Sequence, residues 1–406
     1  MELFLCRSAL LVGLVVGLAG CGGGNGDQKA ATEKAAAEAT SPSAPAVPSA
    51  APAVTPAPSA SADSDGEQVL NIYNWSDYIA EDTIANFEKE TGIKVRYDVF
   101  DSNEVLEAKL LAGNTGYDIV VPSASFVARQ IQAGVFQALD KGKLPNYKNL
   151  DPDIMKVLAG YDPDNQHVLP WMWGTTGIGY NVKMIKDRMP DAPLGSWDMI
   201  FKPEIVAKFK DCGVSTLDAP SEVFPSALRY LELPTGSQTE ENLKKAETLV
   251  MGVRPAVKYF HSSQYINDLA NGELCLVLGW SGDIIQARAR AVEAKNGHDI
   301  AYFIPKEGAL LWVDTMAIPK DAKHTANAYK FLDYALRPAV IAAVSNFVHY
   351  ANGNAAATSL VDEAIRTDVS VYPTPETKAK LFPNVVNTPE YDRLVTRTWT
   401  RIKTNQ

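Results

Sequence analysis

Between residues 69 and 133 the hydrophobic period switches repeatedly between two and about three and a half, and that alternation constrains the fold more than any other feature. Residues 69–73 alternate apolar and polar, as a strand does. Residues 81–90 place Ile84 and Phe87 on one helical face and stop at Gly92. Residues 93–100 return to a strand pattern. Residues 103–112 set Val105, Leu106, Leu110 and Leu111 at helical spacing before Gly113, residues 117–121 are a short apolar strand closed by Pro122, and residues 123–133 are helical again. Strands alternating with helices of this length predict an α/β fold, a mostly parallel sheet with helices on both faces. The same style returns over residues 180–302, with helices expected at 240–251, 263–271 and 283–296 and an apolar strand at 273–280. Two extended stretches rich in Gly, Pro and aromatics, near 171–180 and 304–313, read as crossings between two lobes. From residue 326 the tail reads as helical, broken at Pro338 and at Asn352-Gly353.

The globular pattern starts only at Glu67, and what precedes it sets the compartment. Residues 1–20 carry one base, Arg7, then an apolar run too short to span a bilayer, then small residues before Cys21. This is the pattern of a secretory leader. Leu18-Ala19-Gly20-Cys21 is similar to a bacterial lipobox, whose cysteine becomes an acylated N-terminus and a membrane anchor. Residues 21–66 are dominated by Ala, Pro, Ser, Gly and Thr without one aromatic, so they cannot bury enough apolar surface to offset their ordering entropy and read as a tether. The rest is longer than one ordinary core reaches, so two lobes are expected. Residues 67–178 with 306–345 form the first, and 179–305 with 346–406 the second.

The formal net charge of −10 argues against nucleic-acid binding and suits a cationic ligand. With Cys6 lost in the leader and Cys21 lipidated, Cys212 and Cys275 remain as an even pair in an oxidising compartment and are expected to form a disulfide. No CxxC or HxxxH spacing supports a metal site, and no motif calls for a cofactor. Gly174-Thr-Thr-Gly177-Ile-Gly179 has the wrong glycine order for a dinucleotide fingerprint and reads as backbone flexibility at a crossing. His261 beside Ser262 and Ser263 is no triad, because adjacent residues do not converge; a surface or capping role is expected for each of the histidines 167, 261, 298, 324 and 349.

In open α/β sheets ligands sit at the carboxyl ends of the strands. The residues found there are Trp75-Ser76-Asp77-Tyr78, Ser123, Trp280 and Asp283, with Trp312 and Asp314 just past the second crossing. Asp77 and Asp283 taken singly read as helix N-caps and the tryptophans as core, so the cluster carries the case. A desolvated ammonium needs a carboxylate and further acceptors. Its methylene chain needs flat apolar walls, and indole faces add cation–π attraction of roughly 0.5–2 kcal/mol. Asp77, Glu222, Asp283 and Asp314 are the carboxylates that would divide that work.

Residues 72–79 (Ile-Tyr-Asn-Trp-Ser-Asp-Tyr-Ile), 100–104, 120–125, 175–181, 217–220, 259–272 and 304–308 resemble blocks of the periplasmic putrescine/spermidine-binding proteins of polyamine ABC importers. The likeness runs from about residue 68 to the end. It implies two α/β lobes hinged around an enclosed polyamine, a membrane permease as partner, and no catalysis; a monomer is expected. Carried over, the family's binding positions fall on Trp75, Ser76, Asp77, Tyr78, Ser123, Glu222, Trp280, Asp283, Trp312, Asp314 and Tyr350, and its disulfide on Cys212 and Cys275. Two departures stand out. Trp312 replaces the Phe that putrescine-preferring members tend to carry, and the lipobox with its tether is absent from many soluble relatives. A periplasmic receptor reporting polyamine to a signalling partner would use the same clamp, and the sequence leaves that alternative open.

Overall fold

The computed structural model describes residues 66–405. The expected leader, the expected lipidation site Cys21 and nearly all of the expected tether lie outside the described residues. Eleven strands are present among them: β1 (Val69–Trp75), β2 (Lys94–Phe100), β3 (Ile119–Val120), β4 (Val168–Asn181), β5 (Val214–Thr216), β6 (Val257–Phe260), β7 (Leu276–Trp280), β8 (Ile300–Phe303), β9 (Leu310–Ala317), β10 (Ala351–Asn352) and β11 (Phe382–Pro383). They follow the order β2-β1-β3-β9-β4-β7-β5-β6, with β8 and β10 also on β4 and β11 on β9.

The expected α/β architecture is present, and the sheet is mixed. β2-β1-β3 at one end and β7-β5-β6 at the other pair in parallel, as the alternation with helices requires. The antiparallel pairs all involve β4 or β9 in the middle. β4 is the reason. Its residues 168–175 pair with β9, and its residues 176–181 pair with β7 and β8, so one strand belongs to both halves.

Local rules set the helix ends. Gly92, left-handed at φ 75°, closes Glu81–Thr91 by donating its N–H to the Glu88 carbonyl. Ser102 caps Asn103–Ala112 by accepting the Val105 N–H. Pro338 opens the helix Pro338–Val348 at a position where no N–H is needed.

Two hydrophobic cores result. One is built on β1–β3, the first part of β4 and β9, with Leu70, Ile72, Phe87 and Trp171 buried. The other is built on β5–β8, with Trp197, Phe209, Tyr265 and Leu276. The division drawn from the sequence at residue 346 differs from the packing. Tyr350, Ala357, Ile365 and Val371 are buried in the first core, and the chain reaches the second at the half-buried Leu381 and then buries Tyr391, Val395, Trp399 and Ile402 there. Helical periodicity tells which face of a segment is buried, not which of two cores receives it.

The glycines of β4 also differ from expectation. They lie in an extended strand and serve close packing: a Cβ on Gly174 would stand 2.7 Å from Cζ2 of Trp312. His324 is buried, not superficial, with Nδ1 2.9 Å from the Asp118 carboxylate. His261 does cap, its Nδ1 accepting the N–H groups of Ser263 and Gln264 at 3.0 Å. The sulfurs of Cys212 and Cys275 are 1.95 Å apart, within the second core.

Candidate functional site

The carboxyl ends of the six strands β1–β3 and β5–β7 face one cleft between the cores. β1 supplies Trp75, Ser76 and Tyr78; β2 supplies Phe100, Asp101 and Asn103; Ser123 follows β3. From the other side come Glu222 after β5, Ser262, Ser263 and Ile266 after β6, and Trp280 and Asp283 from β7. Trp312 and Asp314 from β9, and Tyr350, complete the lining. Ten of the eleven residues singled out in the sequence line this cleft.

The exception is Asp77. Its carboxylate turns outward to Arg290 at 2.7 Å, both side chains about one-third exposed. Its carbonyl accepts from Gln286 at 3.4 Å. Neither Asp77 nor Asp283 is a helix N-cap: the helix after Asp77 is preceded by Ala80, and Asp283 lies in the first turn of Ser281–Ala294.

Three carboxylates are buried in the cleft, each less than a tenth exposed. Asp314 accepts from the Tyr78 hydroxyl at 2.8 Å and from the Ser123 hydroxyl. Asn103 fixes Ser123 in turn, donating to its Oγ and accepting its N–H at 2.9 Å. Asp283 accepts from the hydroxyls of Tyr265 and Tyr350, both at 2.6 Å. Glu222 accepts from the Thr176 hydroxyl of β4.

Burial dominates the electrostatics of all three by penalising the charged form. It raises Asp283 to about 6, against the lowering hydrogen bonds from Tyr265 and Tyr350. Asp314 rises to about 7, against Ser123 and Tyr78, with the Asp283 charge adding to the rise. Glu222 rises to about 8, with Thr176 opposing and the Asp314 and Glu104 charges adding.

Aromatic rings wall the space around these groups. Trp75 meets Trp280 edge-on at 5.6 Å, Tyr78 meets Tyr350 at 5.2 Å, and Trp312 meets Tyr350 at 5.3 Å. Trp75 is fixed by its indole N–H on the Val121 carbonyl at 2.9 Å. No lysine, arginine or histidine lines the cleft among the described residues. A cleft with three buried carboxylates, Asp101 as a fourth at its lining, flat apolar walls and no built-in counter-charge can hold a flexible molecule bearing two or more ammonium groups.

Sequence reading missed the supports. Tyr265 and Thr176 hold carboxylates directly and Asn103 holds Ser123, none of them part of the predicted set. All three lie inside blocks that carry the family resemblance, which is the signal that would have found them. Arg290, Arg288 and Arg129 were also missed. Arg288 pairs with Asp368 at 2.8 Å, and Arg129 with Glu107 at 2.5 Å and Asp392 at 2.7 Å.

A family model described as bacterial extracellular solute-binding protein matches residues 82–371. The putrescine-binding periplasmic protein PotF of Escherichia coli is 56% identical over 342 residues, covering 84% of this chain and 92% of that protein. The putrescine-binding periplasmic protein SpuD of Pseudomonas aeruginosa is 54% identical over 340 residues, covering 84% and 93%. Among solved structures, the spermidine/putrescine ABC transporter substrate-binding protein PotD of Streptococcus pneumoniae superposes with a TM-score of 0.66 at 28% identity, over 83% of this chain and 99% of that one. These relatives are binding proteins rather than enzymes. From a cleft at the strand ends and a match running through both cores, it follows that the chain belongs to the bacterial extracellular solute-binding protein family.

Proposed function

We propose that the protein is the substrate-binding component of a polyamine ABC importer, taking putrescine or spermidine into the cleft between its cores and delivering it to a membrane permease. The observation that carries this is the set of three buried carboxylates among aromatic walls with no basic residue lining the space. In this reading Asp283 and Asp314 each face an ammonium, Glu222 and Ser76 add acceptors, and Trp75, Trp280, Trp312, Tyr78 and Tyr350 enclose the methylene chain. Asp77 acts at one remove, its ion pair with Arg290 joining the first lobe to the helix that carries Asp283. The names of the close relatives support putrescine as a ligand, and Trp312 supports a longer one.

The setting proposed is the periplasm, with the protein a monomer held to a membrane by acylated Cys21 on its tether and braced by an oxidised Cys212–Cys275 pair. Ligand binding to both lobes would favour a closed form by no more than its extra affinity for that form. The test is calorimetric titration of refolded, ligand-stripped protein with putrescine, cadaverine, spermidine and spermine. Saturable binding of at least one below millimolar concentration is expected, and silence from all four in folded protein overturns the reading.

A further inference from the structure

Asp101, the fourth carboxylate of the cleft, is held differently from the other three. It follows β2 directly and is half-buried, whereas Asp283, Asp314 and Glu222 are each less than a tenth exposed. Asp314 and Asp283 each receive two hydroxyls, and Glu222 is met by Thr176 and Trp280. Among the described residues no hydrogen bond or ion pair engages the Asp101 carboxylate, although its charge reaches the Tyr73 hydroxyl. Lys109 lies over the rings of Tyr73 and Tyr117, 5.3 and 5.5 Å from their centroids, and makes no ion pair with Asp101. Asp101 does not cap the helix that follows it either; Ser102 does.

The strand order fixes where this group stands. β2 and β6 are the terminal strands of the sheet, farthest from β4, which the two lobes share. Asp101 follows the first of them and Ser262 and Ser263 the second, and all three line the cleft. The buried aspartates come from strands beside β4: β9 carries Asp314, and β7 leads into Asp283. Asp101 is therefore at the mouth, with the buried carboxylates behind it. Asp77, the other peripheral acid of the predicted set, is cancelled by Arg290 at 2.7 Å. Asp101 keeps its charge facing water at the rim.

Resting on the polyamine reading above, we propose that Asp101 is the capture residue of the cleft: it meets the leading ammonium at the mouth and passes it inward, without holding it in the final complex. A carboxylate on the lip of a concave site raises the local concentration of a polycation and speeds encounter. Water and salt screen it, so it adds little to the docked state, where the buried acids make desolvated contacts. Rim charges act mainly on association, and buried pairs act on dissociation. The lack of a fixed partner suits this role. An arginine would cancel the attraction, and a buried hydroxyl cage would retain the cation at the lip. The gain in rate grows with the number of ammonium groups on the ligand.

The experiment is stopped-flow mixing of the full, ligand-stripped protein with putrescine and with spermidine, followed by the fluorescence of Trp75, Trp280 and Trp312 in the cleft. It is run at about 0.03 M and about 1 M salt, where charges are screened over very different distances. At low salt Asp101→Asn should lower the association rate constant roughly fivefold, more for spermidine than for putrescine, with dissociation changed by less than about twofold. At high salt the difference should vanish. Asp101→Lys should slow association further. Asp98→Asn controls for net charge: Asp98 is exposed on the same strand, bonded to the Tyr117 hydroxyl and outside the cleft lining, and its loss should change association less than about twofold. Association unchanged in Asp101→Asn, equal slowing by Asp98→Asn, or a main effect on dissociation each overturns the proposal and leaves the polyamine reading standing. Wild-type protein that shows no binding phase with either ligand overturns both.

Discussion

Carboxylates inside the cleft and carboxylates around it are treated in opposite ways. At the periphery four have an arginine: Asp77 with Arg290, Asp368 with Arg288, and Asp392 with Arg129, whose guanidinium also takes Glu107. Inside, Asp283, Asp314 and Glu222 have hydroxyls and no cation. Salt bridge and hydroxyl cage both satisfy lone pairs, but only the first cancels charge. Asp77–Arg290, Asp368–Arg288 and Asp392–Arg129 join segments of the two lobes, and all the peripheral pairs are complete without ligand. The interior groups are fully formed acceptors whose charge is left for an incoming molecule, and their burial makes that unbalanced charge costly.

The largest break in this contrast should come from Asp314→Asn or Asp283→Asn. Each keeps the shape and removes a buried counter-charge, so polyamine affinity should fall by on the order of 100-fold or more in calorimetric titration. Loss of less than threefold in both would mean that the ammonium groups lie elsewhere.

A second, smaller effect concerns pH. The interior carboxyls titrate above their ordinary range, so their stabilising contribution is full below about pH 4 and is lost as pH rises through about 6 to 8. Asp368, held low by Arg288 although burial opposes it, has the reverse sign, contributing above the ordinary range and losing that contribution as pH falls. Ligand-free protein should therefore melt a few degrees lower at pH 8 than at pH 5. Saturating polyamine should flatten that slope. A melting temperature that rises over the same interval without ligand would contradict the assignment of the interior group.

The smallest effect belongs to the periphery. Arg290→Ala removes a pair about one-third exposed on each side, so affinity should drop by roughly threefold, and less at high salt. A loss as large as that of Asp314→Asn, insensitive to salt, would show Asp77 acting as an interior residue and would erase the distinction.

What the sequence could express of this followed local rules. The periodicity of residues 69–133 was enough for the parallel strands, and the rule that ligands sit at their carboxyl ends was enough to find Trp75, Ser123, Trp280 and Asp283. Asp77 met the same rule and left the set, because a left-handed backbone at φ 55° and an arginine 213 residues away turn its carboxylate outward. Separation of that kind is invisible to pattern reading, as are Tyr265 as a holder of Asp283 and the packing of residues 350–371 on the first core. The stretch that forms β4 was read as a flexible crossing because its glycines mimic a link. Only the neighbouring Trp312 ring shows that they are small to make room.

That shared strand separates how tightly the protein holds its cargo from what cargo it selects. Because β4 changes partners between Thr175 and Thr176, from β9 to β7, any change in the angle between the two halves of the sheet must bend it there. Substitutions that relax or stiffen that junction without touching the cleft would rescale the retention of every cargo by a common factor, while the order of preference stays with the side chains at the strand ends. A lineage adapting to scarcity or plenty could tune capture along one backbone segment and leave its choice of molecule unchanged.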